Sequence, residues 1–169
     1  MTLLGRSASP AARGRAFIAL GLAHLDQGRH ADAAACFTRF LRIQQVTGSV
    51  RGQAEVRYRS APYASARAAT ARRLTAAMRS AIQSGDLMIA MPAQIRLGQT
   101  LIQVGRLDEA RSLLEDAIRH LSPEGAPRFR AIALEALGQL HGAQDRLEEA
   151  APLIAEAQGL RQALAALAR

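Results

Sequence analysis

The chain of 169 residues has no tryptophan, no lysine, one cysteine, two tyrosines and four phenylalanines. A single cysteine, Cys36, cannot close an intramolecular disulfide and leaves neither the multi-cysteine nor the Cys/His spacing of a structural zinc site. A reducing, cytoplasmic setting is the expectation. No run of about 18 apolar residues occurs, so no transmembrane helix is expected. The stretch from Ala16 to Leu25 follows Arg6, Arg13 and Arg15 much as the apolar part of a signal peptide would. No small-residue cleavage site comes before Asp26, Arg29 and His30, however, and the stretch reads as a core helix. Against 37 alanines there are only 13 glycines and six prolines, and β-branched runs are scarce. This is the composition of a helical domain with a core of its own.

What is abundant is arginine, which supplies all 22 basic residues and a formal net charge of +8. Residues 1–50 carry six Arg against two acids, 51–83 seven against one, and 84–169 nine against eleven. The basic character therefore lies in the first half. Total replacement of Lys by Arg beside so much Ala and Gly matches the codon bias of GC-rich DNA, and a nucleic-acid partner is the competing explanation.

An internal repeat emerges on alignment of the chain with itself. Leu97-Gly98 and Leu137-Gly138 stand 40 residues apart, as do Ala110 and Ala150, and Ala117 and Ala157. The stretch Arg106-Leu107-Asp108-Glu109-Ala110 returns as Arg146-Leu147-Glu148-Glu149-Ala150. Leu20-Gly21, Gly28-Arg29, Ala33 and Phe37 keep the offsets of Leu97-Gly98, Gly105-Arg106, Ala110 and Leu114. A degenerate second copy fills the gap, with Leu74, Ala77, Met78 and Gly85 in register and Tyr58 at the Leu-Gly glycine.

Each copy reads as two helices. In the third, Ile95, Leu97, Leu101 and Ile102 form one apolar stripe, Gly105-Arg106 interrupts it, and Ala110, Leu113, Leu114, Ala117, Ile118 and Leu121 form the next. Gly21, Gly98 and Gly138 fall inside first helices, where glycine costs roughly 1 kcal/mol against alanine, and close approach of the paired helix is the compensation expected. Ala33, Ala110 and Ala150 are the expected small partners on the second helix. Gly28 and Gly105 suit a left-handed turn, and Asp32, Asp108 and Glu148 put negative charge at second-helix starts.

These residues resemble the tetratricopeptide repeat, a helix-turn-helix unit patterned as an aromatic, Leu-Gly, Tyr, Gly, Ala, Phe, Ala and Pro. The first copy is similar through Phe17, Leu20-Gly21, His24, Gly28, Ala33 and Phe37, with Phe40 in place of the next alanine. The third shows Leu97-Gly98, Leu101, Gly105, Ala110, Leu114, Ala117 and Pro123. The fourth shows Leu134, Leu137-Gly138, His141, Ala150, Ile154 and Ala157, with Asp145 at the turn glycine. The resemblance covers about residues 16–158, and its 37 to 40 residue spacing exceeds the usual period of about 34, as in the longer repeats of bacterial regulators. It implies an all-α, helical-hairpin solenoid of about four repeats, the second degenerate. The expected organisation is a lead-in over 1–13, a solenoid domain over 14–158 and a short C-terminal helix over 159–169. In the second copy Pro62 would interrupt the first helix. Residues 46–65 are then either that degenerate helix or a loop before a long helix from about 64 to 84.

No catalytic constellation stands out. His24, His30, His120 and His141 are too scattered for a metal motif, Cys36 reads as a small buried hydrophobe without a base, and the carboxylate pairs recur with the repeat. Neither an enzyme nor a cofactor or metal site is expected. The resemblance implies a concave face lined by first helices. On it would lie Arg15, Ile18, Leu22, Arg59, Tyr63, Arg96, Gln99, Gln103, Glu135 and Gln139, which lack the Lys/Asn set that clamps a C-terminal carboxylate in some members. Such a groove suits a protein or peptide whose acids meet Arg and whose backbone meets Gln. Arg57, Arg67, Arg72, Arg73 and Arg79 form a basic patch that reads as a solvated face, an acidic-peptide site or a nucleic-acid site.

The expected function is thus a non-catalytic adaptor or regulator binding a protein segment. The alternatives are a nucleic-acid-associated protein using segment 51–79 and a small secretion chaperone. Leu160, Leu164 and Leu167 form a weak apolar cap, which adds self-association as an expectation, and no membrane partner is indicated.

Overall fold

A computed structural model describes residues 9–61 and 67–168. Among the described residues eight helices follow one another and no strand occurs: α1 Pro10–Asp26, α2 His30–Val46, α3 Val50–Ser60, α4 Arg67–Gln83, α5 Leu87–Gln103, α6 Leu107–His120, α7 Pro127–Gly142 and α8 Leu147–Leu167. They form two compact units, Met1–Ala90 and Met91–Arg169, with the division falling inside α5.

In the first unit α1 packs on α2, α2 on α3 and α3 on α4. Ala33, Phe37, Phe40 and Val56 are buried at its centre, with Phe17, Ile18 and Leu22 against them. The Arg39 guanidinium lies 5.9 Å from the Phe17 ring centre, a cation–π contact across α1 and α2. In the second unit Ile95, Leu114, Ala117, Leu121, Ala133, Ala136 and Leu137 make the core. Arg130 of α7 ties off the C-terminal end of α6 by donating Nη1 to the carbonyls of Ile118 (2.8 Å) and Leu121 (2.7 Å), while its Nε meets Glu156 Oε1 at 2.8 Å. It supplies a donor to the Leu121 carbonyl beyond the helix end and a second one to that of Ile118, which also accepts the Leu121 amide at 3.3 Å.

One turn is used five times. Gly28, Gly48, Gly85, Gly105 and Asp145 have φ of 71, 68, 68, 79 and 58°. After each, the next amide donates back to a carbonyl five residues earlier: Arg29 to His24, Ser49 to Gln44, Asp86 to Ala81, Arg106 to Leu101 and Arg146 to His141, at 2.8–3.0 Å. This pair of a left-handed residue and a backward bond is the Schellman helix ending, which satisfies the last carbonyls and redirects the chain. The acids expected at second-helix starts are in place, with Asp32, Asp108 and Glu148 in the first turns of α2, α6 and α8.

Close approach explains the other recurrent glycines, and a large side chain makes the nearest contact. A Cβ on Gly21 would stand 2.9 Å from Phe37 Cε1, on Gly98 2.8 Å from Leu114 Cγ, and on Gly138 2.8 Å from Ile154 Cγ1. The nearest partner is a large side chain sixteen residues on, and the Ala150 carbonyl oxygen follows at 3.4 Å from the Gly138 position; Ala33, Ala110 and Ala150 are all buried. The absence of a Cβ at glycine lets one bulky side chain of the second helix seat directly on first-helix backbone.

The second repeat is a helix pair, α3 on α4, and not a loop followed by one long helix. Ser49 caps α3 by accepting the Gly52 amide at 3.1 Å, which starts a helix in sequence rich in charge. Pro62 lies outside the described residues. Helix α1 begins at Pro10, inside the stretch expected as a lead-in. Ser9 accepts the Ala12 amide at 3.2 Å and the proline takes the first helical position, where its missing N–H costs nothing. Helix α8 runs through Gly159 to Leu167 as one element, where a separate short helix was expected from 159. Glycine ends a helix when it turns left-handed; Gly159 does not, and the alanines around it sustain the helix.

The turn geometry predicts opposite outcomes for two substitutions. A Cβ on Gly105 meets nothing within 4 Å, so Gly105→Ala tests the backbone conformation alone and is expected to cost about 1 kcal/mol. Asp145→Gly, at the same place in the last turn, is expected to stabilise by about 0.5 kcal/mol. Urea unfolding midpoints of the full chain check both; two unchanged midpoints would mean that the turns carry no conformational cost.

Candidate interaction surfaces

Within the first unit, first helices α1 and α3 flank an open groove of about 560 Å³. Arg15, Ile18, Ala19 and Leu22 line it from α1, Arg51, Gly52 and Glu55 from α3, and Phe40 and Gln44 form the floor from α2. Gly52 is there because Gln44 occupies the space of its missing side chain. Of the residues expected on this face, Arg15, Ile18 and Leu22 come together. Arg59 lies on the exposed side of α3 and pairs with Glu55 at 3.1 Å. Tyr63 lies outside the described residues. Arg51 is committed too, with its Nε 2.7 Å from the buried Asp86 carboxylate. Arg15 is thus the exposed cation at this rim without a carboxylate partner among the described residues.

In the second unit the expected residues are divided. Gln103 and Gln139 are exposed, whereas Arg96 and Gln99 are half-buried. Glu135 is not available as an open acid, because Arg161 of α8 ion-pairs with it.

Helices α3 and α4 of the first unit carry the basic patch. Arg57, Arg72 and Arg73 meet at a groove of about 410 Å³ floored by Phe37, Leu41, Val56, Ala69 and Ala76. Arg67 and Arg79 are exposed on α4 and do not line it. The cluster therefore divides into three arginines at one groove and two outside it.

Cys36 is buried, and burial pushes its thiol up from the ordinary range, with Arg39 opposing and Asp32 adding to the shift. That is the reverse of an activated nucleophile. His141 is buried at the α7–α8 turn with Nδ1 3.1 Å from Glu149 Oε2, and His24 accepts the Arg29 guanidinium at 2.5 Å. Both histidines lie at junctions within their helix pairs. Among the described residues no three of His, Cys, Asp and Glu gather as metal ligands, and no helix is long and apolar enough to cross a membrane.

Four helix pairs, the repeated left-handed turn and the glycine seat correspond to what family models recognise. Two models, each described as tetratricopeptide repeat, match residues 14–47 and 90–163, together well over half of the chain. The chain belongs to the tetratricopeptide repeat superfamily. The stretch between the two matches holds α3 and α4, where Tyr58 stands sixteen residues before Leu74 in place of the repeat glycine. Among solved structures, BtubC (BKLC) from P. vanneervenii is similar at a TM-score of 0.82 and 16% identity, over 95% of this chain and 67% of that one. MamA is similar at a TM-score of 0.67 and 18% identity, over 90% and 80%. At such identities the likeness shows the fold. No curated protein matches the chain by sequence.

The third tetratricopeptide repeat contains a polar clasp that the sequence reading passed over. Gln94, 3% exposed on α5, donates Nε2 to the Leu113 carbonyl (2.9 Å) and to Asp116 Oδ2 (2.8 Å) on α6. The signal was there: Gln94 is the polar break in the run from Leu87 to Ile95. Asp116 is held below the usual carboxylate range chiefly by this hydrogen bond, then by Arg119 and His120. Partial burial opposes the shift. A depressed folded value means that the stabilisation is complete above the ordinary carboxylate range near pH 4 and is lost as pH falls through the lowered value. Asp116→Asn is therefore expected to lower the melting temperature at pH 7 and to narrow the gap to wild type at about pH 3. Equal gaps at both pH values would separate the clasp from the charge of Asp116.

Proposed function

We propose that this tetratricopeptide repeat protein is a non-catalytic adaptor or regulator that holds an extended or helical segment of a partner protein in the α1/α3 groove. Tetratricopeptide repeats generally mediate protein–protein interaction, and the groove is the observation that carries the reading. Its floor and one wall are apolar through Phe40, Ile18, Ala19 and Leu22, its opposite wall is polar, and Arg15 stands open at the rim. An apolar anchor in the groove and an acid at Arg15 are the complementary features of a ligand, and Gln44 offers an amide to its backbone. A cytoplasmic setting accords with one buried thiol and no disulfide partner.

Phage-displayed random peptides panned on the full chain test the reading. Wild type is expected to enrich a family of peptides whose apolar anchor occupies this groove. Ala19 is exposed, so Ala19→Arg fills the groove without disturbing the core and is expected to weaken those peptides by about tenfold. Circular dichroism melts of the two proteins should coincide. If every enriched peptide binds the variant as well as wild type, or none is enriched on wild type, the proposal is contradicted.

A further inference from the structure

We propose that the groove between α2, the end of α3 and α4 is a second docking surface, for an acidic segment of a partner protein that carries large apolar side chains between its carboxylates. This surface shares no lining residue with the α1/α3 groove, so it stands or falls separately.

Three guanidinium groups line this groove with no carboxylate partner among the described residues, and two of them are held by hydrogen bonds. Arg57 donates Nη1 to Ser80 Oγ at 2.7 Å and Nη2 to Gln53 Oε1 at 3.2 Å. Arg73 donates Nη1 to the Ser60 carbonyl at 2.9 Å. Every one of those acceptors is neutral, so two arginines are fixed in place with their charge undiminished, and Arg72 joins them at the rim. The acids carried by the surrounding elements are engaged elsewhere: Asp32 on α2 faces Arg29, Glu55 on α3 faces Arg59, and Asp86 after α4 faces Arg51. Helix α4 has none. Neutral anchoring of a cation leaves a preorganised anion site, and the planar fork of arginine favours carboxylates in bidentate geometry.

The floor decides between anions. The half-buried Leu41, Ala69 and Ala76 present apolar surface in a groove of about 410 Å³, within the range of pockets that take organic groups and much larger than a lone inorganic anion requires. A single-stranded nucleic acid needs exposed aromatic faces for stacking. Among the described residues the aromatic side chain in this lining is Phe37, which is 3% exposed and packed into the core. Apolar side chains on the floor with carboxylates at the rim satisfy both halves of the surface, which identifies the occupant as an acidic amphipathic segment.

Fluorescence anisotropy tests this with a short fluorescein-labelled peptide bearing a Leu-Phe pair flanked by aspartates. Its asparagine counterpart, a counterpart with Ser-Ser for Leu-Phe, and an oligo-dT strand are the comparison probes. The acidic Leu-Phe peptide is expected to bind full-length protein, and both counterparts to bind at least about tenfold more weakly. Arg72→Glu, at an exposed position, is expected to weaken the acidic peptide by about tenfold, while Arg128→Glu, the same charge change on α7, leaves it as in wild type. Equal losses with both reversals would reduce the effect to net charge and overturn the proposal. Tighter binding of oligo-dT would overturn it in favour of nucleic acid, and loss on Ala19→Arg would move the peptide to the other groove. A dimer that forms without peptide and dissociates on Arg72→Glu would show a second copy as the occupant, and would overturn it equally.

Discussion

The seat of one large side chain on a bare glycine is the contact from which the rest of this fold follows. Phe37 on Gly21, Leu114 on Gly98 and Ile154 on Gly138 bring the two helices of a repeat to backbone–side-chain distance at the same offset each time. Leu114 is fully buried and belongs to the second-unit core, so the contact also anchors the apolar packing around it. Glycine inside a helix works against the helix by roughly 1 kcal/mol, and burial of a large apolar side chain returns roughly 1.5–3 kcal/mol. Sequence, local structure and packing thus agree at this point only because the glycine lacks a Cβ.

With the pair distance set, the left-handed turn sets direction. Five helix ends use the same residue conformation and the same backward hydrogen bond, so chemically different segments leave their helices alike. The second repeat is where the rule loosens. Helix α3 has 11 residues where α1, α2, α4 and α5 have 17, and Tyr58 replaces the seat glycine. Both first-unit grooves border this helix. Ser49, Arg51, Gly52 and Glu55 at its start line one, and Val56, Arg57 and Ser60 toward its end line the other. The degenerate repeat therefore supplies surface chemistry that its better-formed neighbours direct into packing.

Much of this was legible from spacing. The Leu-Gly offsets mark the helix pairs, and Gly28 and Gly105 mark turns that are left-handed. Three kinds of feature were not legible, each for a physical reason. The large residue seated on each of these glycines is not marked by the spacing of small residues, because helix pairs also interlock by side chain on backbone. The engagement of Glu135 with Arg161 and of Arg51 with Asp86 depends on which helix faces meet, and periodicity within one helix does not report that. The division of the arginine patch also depends on facing: Arg57, Arg72 and Arg73 converge across α3 and α4, whereas Arg67 and Arg79 point to other parts of the surface.

A double-mutant cycle on Gly98 and Leu114, read by urea unfolding of the full chain, tests the central claim most directly. The account predicts that Gly98→Ala destabilises by about 1–3 kcal/mol because the new Cβ strikes Leu114. It further predicts that in a Leu114→Ala background the same change is neutral or favourable, a coupling above about 1 kcal/mol. Helix propensity alone gives the opposite sign for Gly98→Ala, a gain of about 1 kcal/mol in either background. That gain, independent of Leu114, would contradict the account.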